Sequence, residues 1–127
     1  MKIVVVDDEE IVLRSCRKIL EAEGFEVLMA TSVDDALDTI DTQNEPTPFL
    51  LLIDVKMPVR DGMQLMRIVK ARRPDLPIIV MSGYPTQETI QTAGSLGAAH
   101  FIAKPFTPDE LLSIVFSVPE VKKNHNH

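Results

Sequence analysis

The sequence has a single cysteine, Cys16, and no tryptophan. One thiol forms neither a disulfide framework nor a cysteine-based zinc site. A basic excess is missing as well: nineteen Asp and Glu face thirteen Lys and Arg, a net charge of −6. Phosphate backbones are bound by Lys/Arg stripes, so no direct nucleic-acid contact is expected. The pair Lys122-Lys123 is too short a basic run to change that. Long apolar runs are also lacking. The longest, residues 49–53, has five residues, against about 20 for a bilayer span. The first, residues 3–6, runs into Asp7, Asp8, Glu9 and Glu10, a charge block that no signal peptide carries in its core. These absences lead to the expectation of a cytoplasmic protein without membrane contact. Its 127 residues suit one domain, long enough to bury about two-thirds of its unfolded surface. The acidic balance suits cations or basic partner surfaces.

Short apolar runs alternate with helical patterns. Ile3-Val4-Val5-Val6 is β-branched and bounded by charge, which predicts a buried strand. Val12, Cys16, Ile19 and Leu20 share one helical face that stops at Gly24. A strand over 25–30 follows. Ser32 then opens a helix as N-cap, with Asp35 at the capping-box position and Val33, Ala36, Leu37 and Ile40 as its stripe. Residues 44–48 hold two prolines and read as a loop. The run 49–53 predicts a third strand, and Pro58 breaks the chain again. Gly62, Leu65, Met66 and Val69 mark a third helix, and 77–81 a fourth strand. The helix over 86–96 is poor, offering only Ile90, Ala93, Gly94 and Gly97 inward. A short fifth strand covers 100–103. Thr107, Pro108 and Glu110 are N-cap, N1 and N3 of a last helix, with Leu111, Leu112 and Val115 as its apolar face. A domain over 1–118 and a flexible tail over 119–127 are expected.

Strands that are apolar throughout imply a parallel sheet covered on both faces, hence an α/β sandwich. Such sheets bind ligands beyond the carboxyl ends of their strands. Asp7 and Asp8 follow the first strand, Asp54 the third, Ser82 the fourth and Lys104 the fifth. Singly, each has a plain explanation: a helix cap for Asp8, turn chemistry for Ser82, a solvated surface lysine for Lys104. Jointly they converge on one crevice. Three carboxylates repel, so a cation satisfies them, and all-oxygen ligands favour Mg²⁺ or Mn²⁺ over Zn²⁺. A lysine and a hydroxyl beside them suit phosphoryl oxygens, with one carboxylate as nucleophile. Asp54 ends the central strand and is the geometric candidate.

The pieces Asp7-Asp8, Asp54-Val55-Lys56-Met57-Pro58 with Asp61-Gly62, Met81-Ser82-Gly83 and Lys104-Pro105-Phe106 together resemble the receiver domain of two-component response regulators. The resemblance covers about residues 2–117. It implies a doubly wound five-stranded parallel sheet of order 2-1-3-4-5 flanked by five helices, the flavodoxin-like receiver fold. It implies a regulatory module rather than an enzyme, with Asp54 as phosphoacceptor from a phosphohistidine on a sensor histidine kinase or histidine phosphotransfer domain. Asp7, Asp8, Asp54 and the backbone carbonyl of Lys56 would position Mg²⁺. Lys104 would pair with phosphoryl oxygens, and the peptide bond before Pro105 would be cis. Ser82 and Phe101 stand at the switch positions, moving the surface of the fourth helix, fifth strand and fifth helix for a downstream protein target or a missing output domain. A phosphorylation-dependent homodimer through that surface is a further expectation. For Phe101, core filling is the alternative role.

Two positions stay open. Lys56 either reaches the acidic pocket and tunes metal affinity or hydrolysis, or is solvated. Tyr84 either shields the phosphoryl group from water or meets a partner. His100, His125 and His127 do not read as a metal site, and Cys16 reads as inert packing. An aspartate-nucleophile phosphohydrolase of the haloacid-dehalogenase type carries Asp-x-Asp after its first strand. Here position 9 is Glu, and a cap domain has no room. A binding module that is never phosphorylated is disfavoured by the intact acidic trio with Lys104. Nucleotide binding lacks its Gly-rich loop. Stand-alone protein and excised fragment both remain open.

Overall fold

A computed structural model describes residues 1–42, 49–56 and 61–124. The elements run β1 (Lys2–Val6), α1 (Glu10–Glu21), β2 (Glu26–Ala30), α2 (Val33–Thr42), β3 (Phe49–Asp54), α3 (Gly62–Arg72), β4 (Ile78–Ser82), α4 (Gln87–Ser95), β5 (His100–Ala103), α5 (Pro108–Ser117) and α6 (Pro119–Asn124). The loop expected at 44–48, the break at Pro58 and the tail residues His125 and His127 lie outside the described residues.

All strand pairs are parallel, as the apolar strands imply, in the order β2-β1-β3-β4-β5 that the family resemblance implies. Successive side chains along a strand point to opposite faces, and both faces are covered. Val4, Val6, Leu51, Ile53, Ile78 and Val80 pack with residues of α2, α3 and α4. Ile3, Val5, Leu50, Leu52, Ile79 and Met81 pack with α1, α5 and α6. That double cover explains why the strands read as unbroken apolar runs rather than alternating ones.

Local signals set the helix boundaries. Ser32 Oγ accepts from the Asp35 N–H at 3.0 Å, while the Asp35 carboxylate reaches back to the Thr31 N–H at 3.0 Å, one residue earlier than in a standard capping box. Thr107 and Glu110 complete a true capping box with Pro108 behind it. Gly24 takes φ +91°, a left-handed conformation that ends α1. The core face of α1 includes Leu13 beside Cys16 and Leu20; the sequence pattern had passed over Leu13. The poor fourth helix is poorer still. Ala93 is its single buried residue, Ile90 is 44% exposed, and Gly94 and Gly97 are exposed.

After Val118 the sequence suggests a frayed tail, and the structure differs. Pro119–Asn124 is a sixth helix, and Val118 and Val121 are fully buried against α1 and α5. The apolar spacing of 118 and 121 is one turn, too brief a pattern to register as a helix beside four polar neighbours. Val121→Ala is expected to lower unfolding free energy by about 2 kcal/mol. Chemical denaturation checks this; a loose tail would give no change.

Candidate functional site

Chain order reverses at β1, which pairs with β2 on one side and β3 on the other. This is where an open parallel sheet leaves a crevice beyond its strand ends. Val6 is in register with Ile53, so one further residue on each strand brings Asp7 beside Asp54. Asp54 is level with Met81, and Ser82 with Ala103. Ser82 and Lys104 therefore emerge at the same edge.

Asp7 is fully buried, and Asp54 and Ser82 are 5% and 3% exposed. The Lys104 ammonium binds this group together. Its Nζ lies 2.9 Å from Asp7 Oδ2, 3.3 Å from Asp54 Oδ2 and 3.3 Å from Glu9 Oε1. The backbone before it is fixed by the Lys104 N–H donating to the Ser82 carbonyl at 2.7 Å, and the Lys104–Pro105 peptide is cis. Asp7 Oδ1 accepts the Glu9 N–H at 2.9 Å, and Asp54 Oδ1 the Lys56 N–H at 3.4 Å. Ser82 Oγ accepts the Tyr84 N–H at 3.0 Å, which leaves its own hydrogen free to donate.

Asp54 is held in place from behind. The Gly62 N–H donates to the Val55 carbonyl at 2.8 Å. A Cβ on Gly62 would stand 2.2 Å from the Asp54 carbonyl oxygen. Only glycine lets the start of α3 approach so closely.

Burial pushes the Asp54 carboxyl up from 3.8 to about 6; the Asp7 charge adds to the rise and Lys104 opposes it. Burial alone would pull Lys104 down, but its hydrogen bond to Asp7 and the charges of Asp54 and Asp7 outweigh it and hold the ammonium above its ordinary value. Burial, then the Asp7 charge, drive the Cys16 thiol up to about 12, so it is an unreactive packing group.

Oxygen atoms of Asp7, Asp8, Glu9 and Asp54 lie within 4.8 Å of one another. One ammonium does not neutralise four carboxylates, and hard oxygen donors at this spacing fit a small divalent cation. Asp8 and Glu9 are exposed at the rim. The structure thus gathers Asp7, Asp8, Asp54, Ser82 and Lys104. The sequence reading had no role for Glu9; its signal was a long acidic side chain where α1 needs a short cap.

Among the remaining candidates, Lys56 and Tyr84 line the same cleft as Asp8, Glu9, Asp54 and Lys104. Lys56 Nζ stands 4.8 Å from the centre of the Tyr84 ring, a cation–π contact. Both residues line a cleft of about 650 Å³ beside Asp54, together with Ile11 and Phe106. Phe101 is half-buried and packs on the face that carries α4. His100 Nε2 is 2.9 Å from Ser117 Oγ, far along the strand from the cluster. Among the described residues no helix is long and apolar enough to cross a membrane.

A sequence model described as "Response regulator receiver domain" matches residues 3–116. Sporulation initiation phosphotransferase F of Bacillus subtilis is 30% identical over 123 residues, 97% of each chain. DNA-binding transcriptional regulator NtrC of Proteus hauseri is 31% identical over 111 residues, 87% of this chain and 23% of its own length. The chain thus spans about a quarter of the length of the first curated relatives it matches. Among solved structures, a response regulator receiver domain protein of Clostridium thermocellum superposes with a TM-score of 0.86 at 29% identity, covering 97% of both chains. The beryllofluoride-activated NtrC4 receiver domain, described as a dimer, gives 0.83 at 33% identity, covering 94% of this chain and 97% of the other.

The raised Asp54 carboxyl has a consequence for stability. The folded state holds that proton more tightly than the unfolded chain, so stability is lost as pH rises from about 4 to about 6. Without divalent cations, Asp54→Asn is expected to stabilise the fold by about 2 kcal/mol above pH 7 and by nothing near pH 3. Paired thermal melts at the two pH values check it.

Proposed function

The chain belongs to the family of response regulator receiver domains of two-component systems, and from that premise we propose that Asp54 takes up a phosphoryl group from a phosphohistidine. The donor is a sensor histidine kinase or a histidine phosphotransfer domain, in the cytoplasm. The observation that carries this reading is the Lys104 ammonium poised between buried Asp7 and Asp54.

With its carboxyl near 6, Asp54 is mostly ionised at neutral pH and can act as nucleophile. A carboxylate oxygen forms the new bond to phosphorus. The phosphorus–nitrogen bond breaks, and the imidazole nitrogen keeps the electron pair and takes up a proton. Lys104 offsets charge on the phosphoryl oxygens, and Asp7 holds Lys104 in place. Asp7, Asp8, Asp54 and the Lys56 backbone carbonyl would hold Mg²⁺ (or Mn²⁺), which supplies further positive charge against the phosphoryl oxygens when bound.

The aspartyl phosphate brings about −1.5 to −2 charge and three acceptor oxygens. Ser82 can donate its hydroxyl hydrogen to one of them. Any shift of Ser82 is passed along a short chain: Ser82 accepts from the Tyr84 N–H, and the Tyr84 carbonyl accepts from the Thr86 N–H at 2.8 Å. Thr86 is the N-cap of α4. A helix anchored by Ala93 alone is readily displaced, and half-buried Phe101 follows into the space opened behind Ser82. The surface of α4, β5 and α5 then meets a downstream protein, an output domain of a longer chain, or a second copy. The dimer of the beryllofluoride-activated NtrC4 receiver domain supports the last option. Tyr84, with Lys56 stacked on it, shields the phosphoryl group from water.

Intact-protein mass after incubation with a small acyl phosphate tests the acceptor. A magnesium-dependent gain of one phosphoryl group, absent in Asp54→Ala, is expected. No gain in a folded wild type, from either the small donor or a phosphohistidine domain, overturns the reading.

The later steps are read by the phosphoryl lifetime and by amide hydrogen exchange. Tyr84→Ala is expected to shorten the phosphoryl lifetime about two- to tenfold, a range set by one lost shielding group; an unchanged lifetime ends the shielding role. Ser82→Ala is expected to abolish the change in α4 amide hydrogen exchange on phosphorylation, and a full response in that variant ends the switch role.

A further inference from the structure

Glu9 is the N-cap residue of α1, a position where Ser, Thr, Asp or Asn usually accepts a bond from the first turn. Its side chain makes no such bond. The carboxylate turns instead to Lys104, with Oε1 3.3 Å from Nζ. Its backbone is fixed for this, since the Glu9 N–H donates to Asp7 Oδ1 at 2.9 Å. A helix start that forgoes its cap for a contact across the sheet edge breaks a local rule, and such breaks concentrate at functional sites.

Lys104 has three ammonium hydrogens and three carboxylates in reach: Asp7, Asp54 and Glu9. An arriving phosphoryl group needs at least one of those hydrogens. Asp7 cannot release its share cheaply, because it is fully buried and would be left as an uncompensated charge. Asp54 is the group being modified. Glu9 has a side chain 58% exposed, so water can replace the ammonium there. Glu9 is therefore the exchangeable partner.

We propose that Glu9 is a positioning residue that holds the Lys104 ammonium in the unphosphorylated protein and yields it to the phosphoryl group, thereby setting the rate of uptake. This rests on the reading of Asp54 as phosphoryl acceptor. Glu9→Asp keeps the charge and withdraws the carboxylate by one methylene. Glu9→Gln keeps the length and removes the charge. Glu10→Gln removes the same charge from a residue that pairs with Arg14 and does not touch Lys104.

Three measurements separate the outcomes. The first is the NMR signal of the Lys104 ammonium in metal-free protein, which is sharp only when the group is held. The second is the rate of phosphoryl uptake from acetyl phosphate at saturating Mg²⁺. The third is Mg²⁺ affinity, followed by the emission of Tyr84, the chain's one tyrosine in a sequence without tryptophan. Both Glu9 variants are expected to broaden the signal, since Asp7 and Asp54 still hold the ammonium, and to take up phosphoryl about two- to fivefold faster, the range for a half-exposed ion pair. Glu10→Gln is expected to match wild type in all three. Glu9→Asp matching wild type in signal and rate overturns the proposal. So does Glu10→Gln matching Glu9→Gln, which would leave charge alone as the cause. A loss of Mg²⁺ affinity above about tenfold in Glu9→Gln also overturns it, by making Glu9 an ion ligand. If the wild type takes up no phosphoryl group, the acceptor reading and the rate-setting role both fail. The ammonium signal then still decides whether Glu9 holds Lys104.

Discussion

Asp7 and Asp54 leave water together at one sheet edge, and the Lys104 ammonium is what makes that tolerable. A buried carboxylate is costly unless paired and hydrogen-bonded. Asp7, fully buried, has both kinds of partner: Lys104 at 2.9 Å and the Glu9 N–H at 2.9 Å. Asp54 is less well matched, and its carboxyl rises to about 6. The site thus carries an electrostatic strain at neutral pH that incoming positive charge relieves. The acidic rim of Asp8 and Glu9 adds to it.

The scaffold around this point is unequal in stiffness, and the inequality has a local cause. β1, β3 and β4 are buried on both faces, and Gly62 seats α3 directly on the Asp54 backbone. These parts hold Asp54 still. The segment after β4 has none of that support. It carries the exposed Tyr84 and leads into a helix with Ala93 as its one buried residue. A rigidly held Asp54 next to a loosely anchored helix suits the proposed module, which turns a chemical event into a change of surface.

Much of the fold was legible in the chain because strand and helix periods differ and their ends are marked. Gly62, Leu65, Met66 and Val69 are both the expected face of α3 and its buried residues. Thr107, Pro108 and Glu110 form the cap their order implies. What escaped was weakly periodic or contrary to rule. Leu13 was hidden beside a face drawn through Val12. The helix Pro119–Asn124 is too short to show a period. Ile90 looked like an anchor by spacing, yet α4 turns it outward. Glu9 was passed over because a glutamate at a helix start ordinarily faces water.

The sequence by itself determined the order of strands and helices as far as α5, the two-sided burial of the sheet, and which residues follow each strand. Those are local properties, set by backbone preference and hydrophobic period within a few residues. Only the tertiary structure decided that Lys104, 97 residues along the chain from Asp7, stands 2.9 Å from it. It also decided that the same ammonium reaches Glu9 as well as Asp54, and that Lys56 lies over the Tyr84 ring. These depend on register between strands and on the close seat of one helix. Distances of that kind arise when the sheet closes, and no single segment encodes them.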